Sequence, residues 1–144
     1  MRRAQIVAAA RGWIGTPYRH QASLKGVGCD CLGLVRGVWR ETVGPEPEPL
    51  RAYSPHWAEA GGQETLRDLA QKYFKSVAPA ELAPGDLLLF RFRAHLCAKH
   101  VAIVGESDTM IHAHDGACVA EVALAPWWRR RLVSAYLFPP AGSR

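Results

Sequence analysis

Residues 28–41 read Gly-Cys-Asp-Cys-Leu-Gly-Leu-Val-Arg-Gly-Val-Trp-Arg-Glu. Behind Asp30, the apolar residues Leu34, Val35, Val38 and Trp39 recur at the three- and four-residue spacing of an amphipathic helix. Asp30 is a favourable N-cap type, and Gly44-Pro45 supplies a stop. The spacing therefore predicts a helix beginning near Asp30, with Cys31 in its first turn. A cysteine in that position meets unpaired backbone N–H groups and the positive end of the helix dipole, both of which favour thiolate over thiol. Cys31 is thus a candidate nucleophile, although a free cysteine is equally at home as a small buried apolar residue.

Working outward, Arg3 to Gly12 reads as a short helix ended by glycine, and Trp13 to Tyr18 as a turn fixed by Gly15 and Pro17. Gly44 to Pro55 carries four of the ten prolines and reads as a loop. Leu66, Leu69, Ala70, Tyr73, Phe74 and Val77 mark an amphipathic helix. After the turn Ala83-Pro84-Gly85-Asp86 the period changes. Leu88, Phe90 and Phe92 alternate with Leu89, Arg91 and Arg93, the pattern of a strand with one buried face. Residues 100–104, 109–113, 117–124 and 132–138 read as further strands. Helices followed by antiparallel strands predict an α+β fold with the N-terminal helices packed on the sheet. A chain of 144 residues that is 49% hydrophobic fits one domain over 1–144, with no repeat and no linker.

Lys and Arg number 18 against 13 Asp and Glu, a net charge of +5 that favours an acidic partner such as nucleic acid or anionic cell wall. The densest basic run is Trp127-Trp128-Arg129-Arg130-Arg131. A run entering a final strand is expected to bury its aromatics and leave its arginines in water, so a substrate-surface contact is the most it is read as, with nucleic-acid binding through the arginines a rival reading. The start, MRRAQIVAAARGWIG, is interrupted by Arg11 before a signal-peptide core is reached, and no apolar run is long enough to span a membrane. A soluble protein made in the cytoplasm is expected. The cysteines at 29, 31, 97 and 118 are then expected as reduced thiols. A metal site built from Cys29, Cys31, Cys97 and a histidine is a rival reading, but the Cys-x-Cys spacing is not that of zinc pairs. No metal and no cofactor are expected.

A cysteine nucleophile needs a base that can also protonate the leaving group, and histidine is the ordinary choice near neutral pH. Of the six histidines, His20 and His56 fall in predicted loops and His95 before a strand, whereas His100, His112 and His114 lie on or beside two adjacent predicted strands. His100 and His112 share a face of that hairpin only if its loop has an odd number of residues. The loop Gly105-Glu106-Ser107 would set His100 opposite His112, which could then bond the second ring nitrogen of His100 and hold its tautomer. His114 would lie on that face one pair further out. A four-residue loop including Asp108 would put His100 and His112 on opposite faces.

Gly15-Thr16-Pro17-Tyr18, Asp30-Cys31-Leu32-Gly33-Leu34-Val35, Pro84-Gly85-Asp86-Leu87-Leu88-Leu89-Phe90, Lys99-His100-Val101-Ala102-Ile103-Val104 and Met110-Ile111-His112-Ala113 together resemble the ordered motifs of NlpC/P60 cysteine peptidases. The resemblance covers about residues 6–113 and implies a papain-like α+β fold. It implies that Cys31 attacks, His100 takes and returns the proton, and His112 orients His100. It further implies that the Tyr18 hydroxyl joins the Cys31 backbone N–H in stabilising the oxyanion. Asp30 is accounted for by capping. The substrate implied is the peptidoglycan stem peptide, cut between D-glutamate and the diamino acid. The long form GCDCLGLVRGVWRE and the segment TPYRHQAS look closer still to cell wall peptidases encoded with phage tails and gene transfer agents. That implies tail or baseplate hub proteins as partners, and action in the periplasm or wall of a target cell. Two departures bear on substrate: Leu32 stands where the family usually has serine, and Arg19-His20-Gln21 where glycines are common. Related proteins include amidases and acyltransferases using the same Cys and His, and a structural tail subunit with this fold is a further reading.

Overall fold

Asp30 starts the central helix by accepting the Gly33 N–H at 2.7 Å, and its extended backbone (φ −100°, ψ −172°) turns the chain into the first helical turn. In the computed structural model, which describes residues 2–47 and 64–143, that helix, α2, spans Cys31–Thr42. It follows α1 (Arg2–Arg11) and a small ribbon of β1 (Ser23–Leu24) and β2 (Gly28–Cys29) that the sequence pattern did not announce. Two glycines let α2 sit close to its neighbours. A Cβ on Gly33 would lie 1.9 Å from the Ala22 carbonyl oxygen, and one on Gly37 would lie 1.9 Å from the Trp13 ring.

The remaining elements are α3 (Thr65–Tyr73), β3 (Lys75–Val77), a 3₁₀ turn (Pro79–Glu81), β4 (Leu87–Phe90), β5 (His100–Val104), β6 (Thr109–His112), β7 (Ala120–Ala123), α4 (Pro126–Arg129) and β8 (Leu132–Leu137). Six strands form an antiparallel sheet in the order β3-β8-β4-β5-β6-β7. One face, with Leu87, Leu89, Val101, Ile103 and Ile111, packs against Ile6, Val7 and Ala10 of α1 and Leu34, Val35 and Val38 of α2. Such burial is worth about 1.5–3 kcal/mol for each large side chain. The expected α+β architecture with N-terminal helices on an antiparallel sheet is therefore present.

Four expectations need correction. β4 is buried on both faces, because Leu88 and Phe90 pack with Ala102, Val104, Met110, Leu124 and Ala135, and with Trp128 of α4. The predicted helix through Val77 ends at Tyr73: Phe74 turns extended (φ −124°, ψ 161°) and sets its ring edge-on to Trp39 and Phe138, and residues 75–77 pair with β8 instead. The predicted strand 117–124 shortens to β7, since Cys118 bridges to Pro17 and Val119 exchanges backbone hydrogen bonds with Gly15 and Thr16 at 2.9 Å. The β5–β6 loop does have three residues, but they are Glu106, Ser107 and Asp108: Gly105 N–H bonds the Thr109 carbonyl at 2.9 Å, and Val104 faces Met110. Position 105 is closed to a larger residue, because a Cβ there would meet Thr109 Oγ1 at 2.4 Å and Glu121 Oε2 at 2.5 Å. Ser107 and Asp108 take the left-handed turn, with φ of 57° and 63°. His100 and His112 still share a face, but carrying the register along sets His112 against Ala102, one diagonal step from His100. The predicted loop beyond residue 47 and His56 lie outside the described residues.

Candidate active site

Cys31 is the first residue of α2, half-buried, with its thiol 4.0 Å from the Lys99 carbonyl oxygen, to which it donates. The Val101 backbone N–H also reaches the sulfur. The thiol therefore sits against the backbone on both sides of His100. Among the described residues, no hydrogen bond joins Sγ to the His100 ring. The backbone N–H groups at the helix start do favour thiolate, but in this arrangement they are outweighed. Burial, and after it the Asp30 charge, push the Cys31 thiol up to about 12, outweighing the backbone N–H groups of Val101, Leu32 and Cys31. Asp30 is itself buried and spends its carboxylate on the Gly33 and Gln21 N–H groups, both at 2.7 Å.

His100 begins β5 and is 5% exposed. Its ring lies in an aromatic cage: Trp128 stacks on it at 5.4 Å and 27°, Phe92 lies at 5.6 Å and Phe90 at 6.1 Å. His112 meets it nearly perpendicular, with His100 Nε2 and His112 Nδ1 2.9 Å apart. Burial first, then the neighbouring His112 and His114, hold the His100 imidazole well below its ordinary pKa. The same causes, burial and then His114, push His112 down to about 4. His114 is exposed and stacks on His112 at 5.6 Å, so the hydrogen bond to His100 belongs to His112.

Tyr18 is fixed by its backbone, through a bridge to Cys29 and an N–H bond to the Ala117 carbonyl at 3.1 Å. Its phenol is raised by burial and then by the negative charges that Cys31 and Asp30 would carry, which sets it within electrostatic reach of the thiol. The structure thus gathers Tyr18, Cys31 and the strand start carrying His100, and joins His100 to His112. Sequence reasoning missed the cage. Its signal was the Trp127-Trp128 pair, of which Trp128 packs on the histidines while Trp127 stays 44% exposed beneath the Arg131 guanidinium. Arg129 does not simply face water: it pairs with Asp108 and donates to the Leu124 carbonyl.

Among the described residues, no three His, Cys, Asp or Glu side chains converge as a metal ion requires, so Cys29, Cys31, Cys97 and a histidine assemble no ligand set. Their thiols are free, as is that of Cys118. No helix among the described residues is long and apolar enough to cross a membrane.

The sequence profile of the NlpC/P60 family matches residues 15–136. The murein DD-endopeptidase/murein LD-carboxypeptidase MepS of Escherichia coli (strain K12) is 30% identical over 130 residues, covering 90% of this chain. The chain spans 59% of the length of that curated relative. The crystal structure of the NlpC/p60 domain of the peptidoglycan hydrolase SagA superposes with a TM-score of 0.63 at 26% identity, over 94% of this chain and 98% of that one. An NlpC/P60 family protein from Bacillus cereus superposes with a TM-score of 0.66 at 21% identity, over 96% of this chain and 40% of the other.

Proposed function

The chain belongs to the NlpC/P60 family, and from that premise we propose that it is a cysteine peptidase that hydrolyses the peptide part of peptidoglycan, with Cys31 as nucleophile and His100 as base. The observation that carries this reading is the buried His100–His112 hydrogen bond, held beside the backbone that touches the Cys31 thiol. For His100 to act as base with both imidazoles neutral, its proton must sit on Nε2 and be donated to His112 Nδ1, which leaves Nδ1 as its free lone pair. The reaction then requires the Cys31 side chain to leave the Lys99 carbonyl and present its thiol to that lone pair. Sγ then attacks the peptide carbonyl as its proton passes to His100. The new oxyanion is stabilised by the Cys31 N–H and the Tyr18 hydroxyl. Collapse expels the amine, which takes the proton back from His100, and the thioester is hydrolysed by a water that gives its proton to His100 in turn.

The relatives named as murein and peptidoglycan hydrolases support the stem peptide as substrate, and the family resemblance supports the bond between D-glutamate and the diamino acid. A finer part of the proposal is carriage on a phage-like tail or gene transfer agent particle, through tail or baseplate hub proteins, to open the wall of a target cell locally for DNA delivery. Its support is the likeness of residues 28–41 and 16–23 to tail-encoded peptidases. Purified peptidoglycan incubated with the protein and read by mass spectrometry should release fragments ending at D-glutamate. Intact wall would remove the peptidase reading. Particles purified from producing cells should contain the chain, and its presence only as free protein would remove the tail.

A further inference from the structure

The basic run 129–131 has no part in the mechanism above, yet the topology brings it to the site. Phe90 pairs with His100 on one side and with Leu132 on the other, so the sheet end that carries His100 also carries the start of β8. Beyond that end, the chain leaving β4 (Arg91, Phe92, Ala94) and the chain leaving α4 (Arg130, Arg131, Leu132) enclose a cleft of about 350 Å³. Phe92 belongs to both places, lining the cleft while its ring lies 5.6 Å from that of His100.

Three arginines line this space, and their side chains are held in place to different degrees. Arg91 is anchored by Glu64 at 2.9 Å and by the Leu96 carbonyl. Arg131 lies 3.7 Å over the Trp127 ring and donates to the Trp127 carbonyl at 2.8 Å, while its Nε finds no partner in the protein. Arg130 is exposed, and among the described residues its side chain makes no hydrogen bond or ion pair. Glu64 offsets only one of the three charges. The planar guanidinium fork of an arginine such as the unpaired Arg130 matches a carboxylate in geometry as well as charge. The volume suits one or two amino-acid units and is too short for the several nucleotides of a single-strand groove.

We infer that this cleft binds a carboxylate of the substrate peptide and so selects acidic over amidated stem peptides. The inference rests on the proposed peptidase reading. Its test uses the full chain and two synthetic stem peptides, one with free carboxylates and one with the same groups amidated. Wild type should show a KM lower by about tenfold for the acid form, the value of a charge-assisted hydrogen bond. Arg130→Glu should abolish that preference by raising the acid KM, with kcat unaltered, and Arg130→Gln should lie between. Titration calorimetry of both peptides on the Cys31→Ala protein reads the cleft independently of turnover. Acid preference in calorimetry without hydrolysis would sink the peptidase reading and keep the cleft. Equal affinity for acid and amide would overturn the cleft even if both peptides are cut. Competition by a single-stranded DNA oligonucleotide, relieved in Arg130→Glu, would overturn it in favour of nucleic acid.

Discussion

His100 Nε2 and His112 Nδ1 lie 2.9 Å apart between two rings set at 84°, and both residues are buried. A buried pair of imidazoles can share one hydrogen bond only while at least one stays unprotonated, and its burial here keeps both neutral. The consequence for stability has a definite sign. In the unfolded chain a histidine titrates near 6.5, whereas folded His112 does so at about 4. Between those values the unfolded state takes up a proton that the folded state refuses. Stability is therefore full above about pH 6.5 and is lost as pH falls toward 4, at up to ~1.4 kcal/mol per pH unit for each histidine. Urea midpoints measured from pH 7.5 to 4.5 should show this slope, and His112→Asn should flatten it. An unchanged slope in the variant would place its origin elsewhere.

Cys31 should be slow to alkylate at neutral pH, because burial and the Asp30 charge both hold its thiol up. Asp30→Asn removes the charge while keeping an oxygen to cap Gly33, so the pH profile of iodoacetamide labelling should shift to lower pH. Peptide mass spectrometry on Cys31 follows it. An unmoved profile would show that burial alone sets the thiol.

Gly33→Ala and Gly37→Ala should each destabilise the fold by about 2–3 kcal/mol through overpacking. Gly33 is the more severe site, since the atom its Cβ would strike is the Ala22 backbone oxygen, while at Gly37 it is the Trp13 ring, itself tied to Glu41 by a 2.9 Å hydrogen bond. Equilibrium unfolding in urea measures both. Wild-type midpoints would contradict the tight approach of α2.

On peptidoglycan, Cys31→Ala should abolish fragment release. Cys29→Ser should largely spare it, because Cys29 is a buried member of the ribbon and the packed core. His100→Ala should slow turnover by about 10² to 10⁴ if it acts as general base. Equal loss in the Cys29 and Cys31 variants would point away from a single nucleophile.

Helix α2 was readable because capping by Asp30 and the apolar spacing behind it are local properties of a dozen residues. Strands β5, β6 and β8 were readable for the same reason. The end of α3 was not, since Phe74 leaves the helix to meet Trp39 and Phe138, contacts made far along the chain. Nor was the second buried face of β4, which depends on Leu124 and Trp128 arriving from beyond β7. The hairpin loop was right in length and wrong by one residue in position, because the space around Gly105 is set by Glu121 on a third strand. Cys31, His100 and His112 could be nominated from order and spacing, and Tyr18 from the family resemblance. The protonation of the thiol could not, because it follows from burial rather than from the helix start.

The two sides of the candidate site are anchored in unequal ways. His100 pairs with Phe90 of β4, a strand in mid-sheet with every residue buried. Its amide protons should exchange with deuterium only when the whole domain unfolds. Tyr18 and Cys29 are held by isolated bridges and by strands two residues long. Their amides should exchange through local openings on a much faster clock. On the proposed peptidase reading, the imidazole side is then a fixed anvil, and a peptide enters and leaves past the tyrosine side.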